Sequence, residues 1–229
     1  MTREKYDQQI NSLLDDILIL GSMVESAILD SVDALKKRDQ EKSKQVRKND
    51  KKINQKRFQI ENDALTTIAT QGPMATDLRI LSSIIDIAGE LERIGDYAKG
   101  IALINKKMGD EPLLKPLIDV PRMAEITVDM LHRALDAFVN IDEDLAWSIP
   151  MDDDLVDNLY NQVYRELITY MISDPSTIDR ATFLLWVAHN LERSADRVTN
   201  ICERTLFVAT GELHEIKKKE LEQREEEQS

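Results

Sequence analysis

From Tyr6 to Leu35 the chain carries no proline, and its apolar residues Ile10, Leu13, Leu14, Ile17, Leu18, Leu20, Val24, Ile28, Val32 and Leu35 recur mostly at spacings of three and four. Such a stripe is the buried face of one long helix. The remainder is built alike. Its 229 residues include only 7 Gly and 6 Pro, and aromatic residues make up 5%. Sheet proteins need turn residues every ~8–12 positions and draw on aromatic side chains to fill their strands. The expected fold class is therefore all-α.

The breakers divide the chain into six helices. Lys36-Lys37-Arg38 places positive charge at the end of the first, where free carbonyls favour it. Asp39 can cap a second helix running to Gln71. Gly72-Pro73 starts a third, which reaches Met108-Gly109. Pro112, Pro116 and Pro121 form the densest cluster of breakers, so 111–121 reads as a linker. A fourth helix is expected over 121–140, a fifth over 142–173 and a sixth over 176–210, closed by Gly211. Pro150 should kink the fifth or split off its first turns. The highly charged tail, 212–229, is expected to fray.

The two halves repeat each other. Asp33-Ala34, Asp39, Val46, Asp50 and Ile53 recur 103 residues on as Asp136-Ala137, Asp142, Ile149, Asp153 and Val156. In the third helix of each half, at an offset of 100, Glu90-Leu-Glu-Arg-Ile-Gly-Asp96 matches Asn190-Leu-Glu-Arg-Ser-Ala-Asp196. Three helices per half in the same order imply two pseudo-symmetric three-helix bundles, over 1–110 and 122–211.

Each third helix carries two carboxylates four residues apart, Glu92 with Asp96 and Glu192 with Asp196. That spacing puts both on one face. Each second helix carries a further pair, Asp50 with Asn54 and Asp153 with Asp157. Second and third helices of an antiparallel bundle are neighbours, so four oxygen-bearing side chains converge in each half. Like charges so close require compensation. Arg93 and Arg193, each following a motif Glu, supply one form of it. A cation held by carboxylate and amide oxygens supplies another, and the donor set leaves Mg, Ca, Mn, iron and zinc open. Di-iron oxidase chemistry is disfavoured, because no histidine has Glu three residues before it.

With these motifs in both halves, the chain resembles the PhoU family of phosphate-uptake regulators. The likeness spans residues 1–211 and includes Pro73-Met-Ala-Thr-Asp-Leu-Arg79, the second-helix pairs and the duplicated Glu-x-x-x-Asp. The resemblance implies multinuclear iron or zinc clusters, one at Asp50, Asn54, Glu92 and Asp96, the other at Asp153, Asp157, Glu192, Asp196 and Asn200. It also implies a cytoplasmic, dimeric, non-enzymatic negative regulator. Such a protein links an ATP-driven phosphate transporter to a sensor histidine kinase and its response regulator, and meets the membrane only through those partners. The first half departs from the pattern at Asn54, opposite Asp157, and at Gly100, opposite Asn200. Fewer anionic ligands should make it the weaker site. Two other readings of the same residues are a carboxylate-bridged metallohydrolase or oxidase and a metal-free helical interaction module.

With 43 acids against 30 bases the net charge is −13, which argues against nucleic-acid binding. No run approaches ~18 consecutive apolar residues. The single cysteine, Cys202, forms no internal disulfide and reads as a small buried side chain. His189 reads as a core or boundary histidine and Phe183, Leu184, Leu185, Trp186 and Val187 as core, with Tyr160, Tyr164 and Tyr170 partly so. Residues 36–57 carry eleven bases and three acids, whereas 142–157 carry seven acids and no base. The basic stretch reads as a solvated face or as a docking patch for an acidic partner, anionic lipid or a second subunit.

Overall fold

The computed structural model describes residues 3–109, 111–217 and 220–221. Helix α1 (Arg3–Lys37), α2 (Gln40–Gln71) and α3 (Thr76–Lys107) form the first bundle. The second comprises α4 (Asp119–Asn140), short α5 (Glu143–Ser148), α6 (Asp153–Ser173) and α7 (Ile178–Thr210). A 3-10 turn at Ile149–Asp152 separates α5 from α6, with Pro150 inside it. Proline has no N–H to give the helical ladder, and it divides the fifth expected helix as its ring requires. The fourth helix begins two residues earlier than expected, at Asp119, because Pro121 sits in a first turn whose N–H groups have no helical partner anyway.

The first two helices of each half meet through the same device. Arg38 and Ile141 adopt left-handed φ angles of 57° and 53°. The next residue's N–H then bonds back into the ending helix, Asp39 to the Ala34 carbonyl at 2.8 Å and Asp142 to that of Ala137 at 2.9 Å. Each Asp next caps the following helix, accepting from the N–H of Lys42 at 2.8 Å and of Leu145 at 3.0 Å. Replacing Asp142 by alanine should lower stability by about 1 kcal/mol in thermal unfolding. No loss would show that α5 is held by packing alone.

One continuous core runs through both bundles. The halves pack through two antiparallel helix pairs, α1 with α4 and α3 with α7. In the first, Gly21 lies so close to Leu135 that a Cβ there would overlap it, and Glu25 reaches His132 at 3.4 Å. In the second, Asp86 faces Arg204 at 3.4 Å, Glu90 faces Arg197 at 3.4 Å, and Gly100 lies against Asn190. The linker is anchored by buried Lys115, whose ammonium bonds the Glu166 carboxylate and lies 3.8 Å from Asp119.

Two expectations about the surface are corrected. Leu18 and Trp186 are exposed, by 38% and 56%. Trp186 is two residues from both Leu184 and Ala188, about 200° around the helix from the buried face. Tyr164 and Tyr170 are likewise open to solvent. The described part of the tail does more than fray: the Ile216 N–H donates to the Glu203 carboxylate at 2.9 Å, and its side chain packs on the core. Residues 218–219 and 222–229, part of the segment expected to fray, lie outside the described residues.

Candidate metal centres

In the first half, α2 supplies Asp50 and Asn54, and α3 supplies Glu92 and Asp96. Asp50 is buried, and its Oδ2 stands 2.8 Å from the Lys99 ammonium, which also donates to Asp96 Oδ1 at 3.1 Å. Lys99 therefore bridges the carboxylates of two helices. Asp50 Oδ1 and Asn54 Oδ1 are buried and accept no hydrogen bond. Burial raises the Glu92 carboxyl above its ordinary range, and the charges of Asp96 and Asp50 add to this while Arg57 and Arg93 oppose it.

In the second half, α6 supplies Asp153 and Asp157, and α7 supplies Glu192, Asp196 and Asn200. Position 199, the counterpart of Lys99, is Thr. Without that ammonium, burial and then the charges of Asp157, Asp196, Glu192 and Asp154 push the Asp153 carboxyl up to about 7. Burial and Asp196 also raise Glu192, against the pull of His189 and Arg193. Arg193 donates to Asp196 Oδ2 at 2.8 Å. Asp153 Oδ1 and Glu192 Oε2 are buried without a hydrogen bond; His189 Nδ1 lies 3.2 Å from the latter, but not in bonding alignment. Asn200 joins Asp153 and Asp196 around a cleft of about 270 Å³. Its amide also donates to Glu90 Oε2 at 3.2 Å, across the α3–α7 seam.

Asp50 thus lies near Asp96 and Glu92, through Lys99 and through charge, and Asp153 near Asp157, Asp196 and Glu192. Among the described residues, no three His, Cys, Asp or Glu side chains already stand in a coordinating array. The carboxylates lean instead on Lys99 and Arg193. The residues nevertheless fit a hard or borderline cation. All are oxygen donors, and both halves hold acceptor oxygens that are shut from water and unsatisfied, a costly arrangement that a cation would relieve. Sequence reasoning missed Lys99, although its place three residues after Asp96, with uncharged Thr199 opposite, was a usable signal.

Cys202 and His189 are placed as expected. Cys202 is fully buried, which pushes its thiol far above the usual range and leaves it inert. His189 sits at the boundary beside Trp186 and Tyr160, with ring centres at 5.9 and 6.2 Å.

The PhoU domain family model matches residues 17–104 and 120–205, one copy in each bundle. The phosphate-specific transport system accessory protein PhoU homolog of Clostridium acetobutylicum is 35% identical over 212 residues, covering 92% of this chain and 97% of its own length. The PhoU accessory protein of Escherichia coli K12 is 34% identical, covering 91% and 86%. The crystal structure of PhoU from Pseudomonas aeruginosa superposes with a TM-score of 0.85 at 33% identity, over 90% of this chain and all of the other. The PhoU structure from Streptococcus pneumoniae also scores 0.85, at 30% identity, covering 92% of this chain and all of its own.

Proposed function

Because the chain belongs to the PhoU family, we propose that it is a non-enzymatic, cytoplasmic, dimeric negative regulator of phosphate uptake and of the phosphate-starvation response. It would act as a helical adaptor between the transporter ATPase and the sensor kinase with its response regulator. The naming of these relatives as accessory proteins of phosphate-specific transport supports that system. The paired carboxylate clusters support metal binding, and the buried, unsatisfied oxygens present in both halves carry that part of the reading.

Asp50, Asn54, Glu92 and Asp96 would hold cations in one half, and Asp153, Asp157, Glu192, Asp196 and Asn200 in the other. Bound iron or zinc would supply charge neutralisation and a cross-link between helices, with no reaction step. Lys99 already neutralises part of the first cluster, so the second is the stronger site. Protein purified without chelator or affinity tag should contain iron or zinc by elemental analysis. Glu192→Gln should lose more of it than Glu92→Gln, and capture from cytoplasmic membranes should recover the transporter ATPase or the kinase. The Lys99 and Arg193 ion pairs favour a second reading, a metal-free interaction module, which a metal-free protein that still captures its partners would establish.

A further inference from the structure

We propose that the cleft between the start of α2 and the end of α3 binds a compact anion of two or more linked phosphates. The cleft holds about 530 Å³, and Lys44, Arg47, Lys48 and Lys51 line it from α2, Lys106 from α3. Among the described residues that line it, Glu41 is the one acid; it lies 3.6 Å from Lys44, and both side chains are largely exposed. Among the described residues, Arg47, Lys48, Lys51 and Lys106 pair with no carboxylate, although other bases on α2 do. Lys42 meets Asp30 and Asp33, Lys56 meets Asp16, and Arg57 meets Glu61. A chain with 43 acids does not lack partners to offer.

The arrangement has a cost within the helix. Lys44 with Lys48 and Arg47 with Lys51 are like charges four apart on one helix, a destabilising spacing. The corresponding positions of the second bundle are Trp147, Pro150, Met151, Asp154 and Leu206, with no base among them, so the fold packs without these charges.

Shape selects the ligand. A concave, two-walled cleft of this volume suits a small molecule, whereas a bilayer would meet a flat or protruding basic face. From Lys44 to Lys51 the helix rises about 10 Å, so several phosphates can be gripped at once where a single one would engage one turn. This site stands independently of whether the carboxylate clusters hold metal.

Calorimetric titration of the whole protein with inorganic tripolyphosphate at constant ionic strength should show saturable, one-to-one binding. Lys48→Glu and Lys106→Gln, on opposite walls, should each weaken it about tenfold or more. Arg122→Glu makes the same charge change as Lys48→Glu at an exposed site on α4 and should leave affinity within about twofold. Without ligand, Lys48→Glu should melt no lower than the parent, because it relieves repulsion. Tripolyphosphate should raise the melting temperature of the parent but not of this variant. Four outcomes overturn the proposal: no saturable binding, an equal response to sulfate, binding that survives both lysine changes (as chelation of a resident metal would), or binding only to phosphatidylglycerol vesicles through the same lysines.

Discussion

Stripped of metal, a variant with Asp153→Asn should be more stable than the parent by about 2 kcal/mol near pH 8, and the difference should vanish near pH 4. The Asp153 carboxyl titrates at about 7 in the folded protein against 3.8 ordinarily. An acid whose folded value is raised favours the fold only while protonated. Stability therefore falls as pH rises from about 4 to about 7, and the whole penalty is present above that. Three units correspond to about 4 kcal/mol, and rotation of Asp157 and Asp196 toward water relieves part of this. Asparagine keeps the shape and removes the charge. Urea denaturation of both proteins at the two pH values measures the effect. The same variant should retain less metal, because a neutral amide holds a hard cation less tightly than a carboxylate. A variant no more stable than the parent near pH 8 would mean that these carboxylates are comfortably solvated, and the case for a cation there would fail.

The first bundle should be far more sensitive than the second to loss of one polar side chain near the end of its third helix. Asn105 is fully buried. Its amide donates to the Ala34 carbonyl at 3.0 Å, the Asp39 carbonyl at 3.3 Å and Ser43 Oγ at 2.8 Å, while its oxygen accepts from Arg38. One side chain on α3 thus satisfies the α1–α2 turn. Asn105→Ala should cost about 3 kcal/mol, combining lost bonds with buried groups left unpaired. The corresponding Thr205, also buried, bonds only the Ile201 carbonyl of its own helix among the described residues, at 3.3 Å. Thr205→Val should therefore cost less than about 1 kcal/mol. Equal losses in the two variants would show that the turn does not depend on Asn105.

What could be read from the sequence follows from what repeats. Helical stripes, breakers and the offsets of 103 and 100 residues depend on local order, so the six-helix plan and the pairing of Asp50 with Glu92 and of Asp153 with Glu192 were legible. Trp186 was misplaced because apolarity was counted and its angle from Leu184 was not. The roles of Lys99 and Asn105 were hidden for a different reason. Each depends on which of several long polar side chains reaches across to a neighbouring helix, and a single helix's periodicity says nothing of that. The fold-back of Ile216 onto Glu203 was likewise invisible in a segment read as highly charged.

The antiparallel seam of α3 and α7 carries a consequence for how the halves communicate. Glu90 meets Arg197 and Asn200, and Gly100 meets Asn190, so Glu92–Asp96 and Glu192–Asp196 flank the middle of one contact. Were a cation to occupy the second centre and draw on Asp196, it would act on the helix whose Asn200 donates to Glu90, two residues from Glu92 of the first. Linkage then demands reciprocity: whatever free energy occupancy of one centre lends the other must be returned in equal measure.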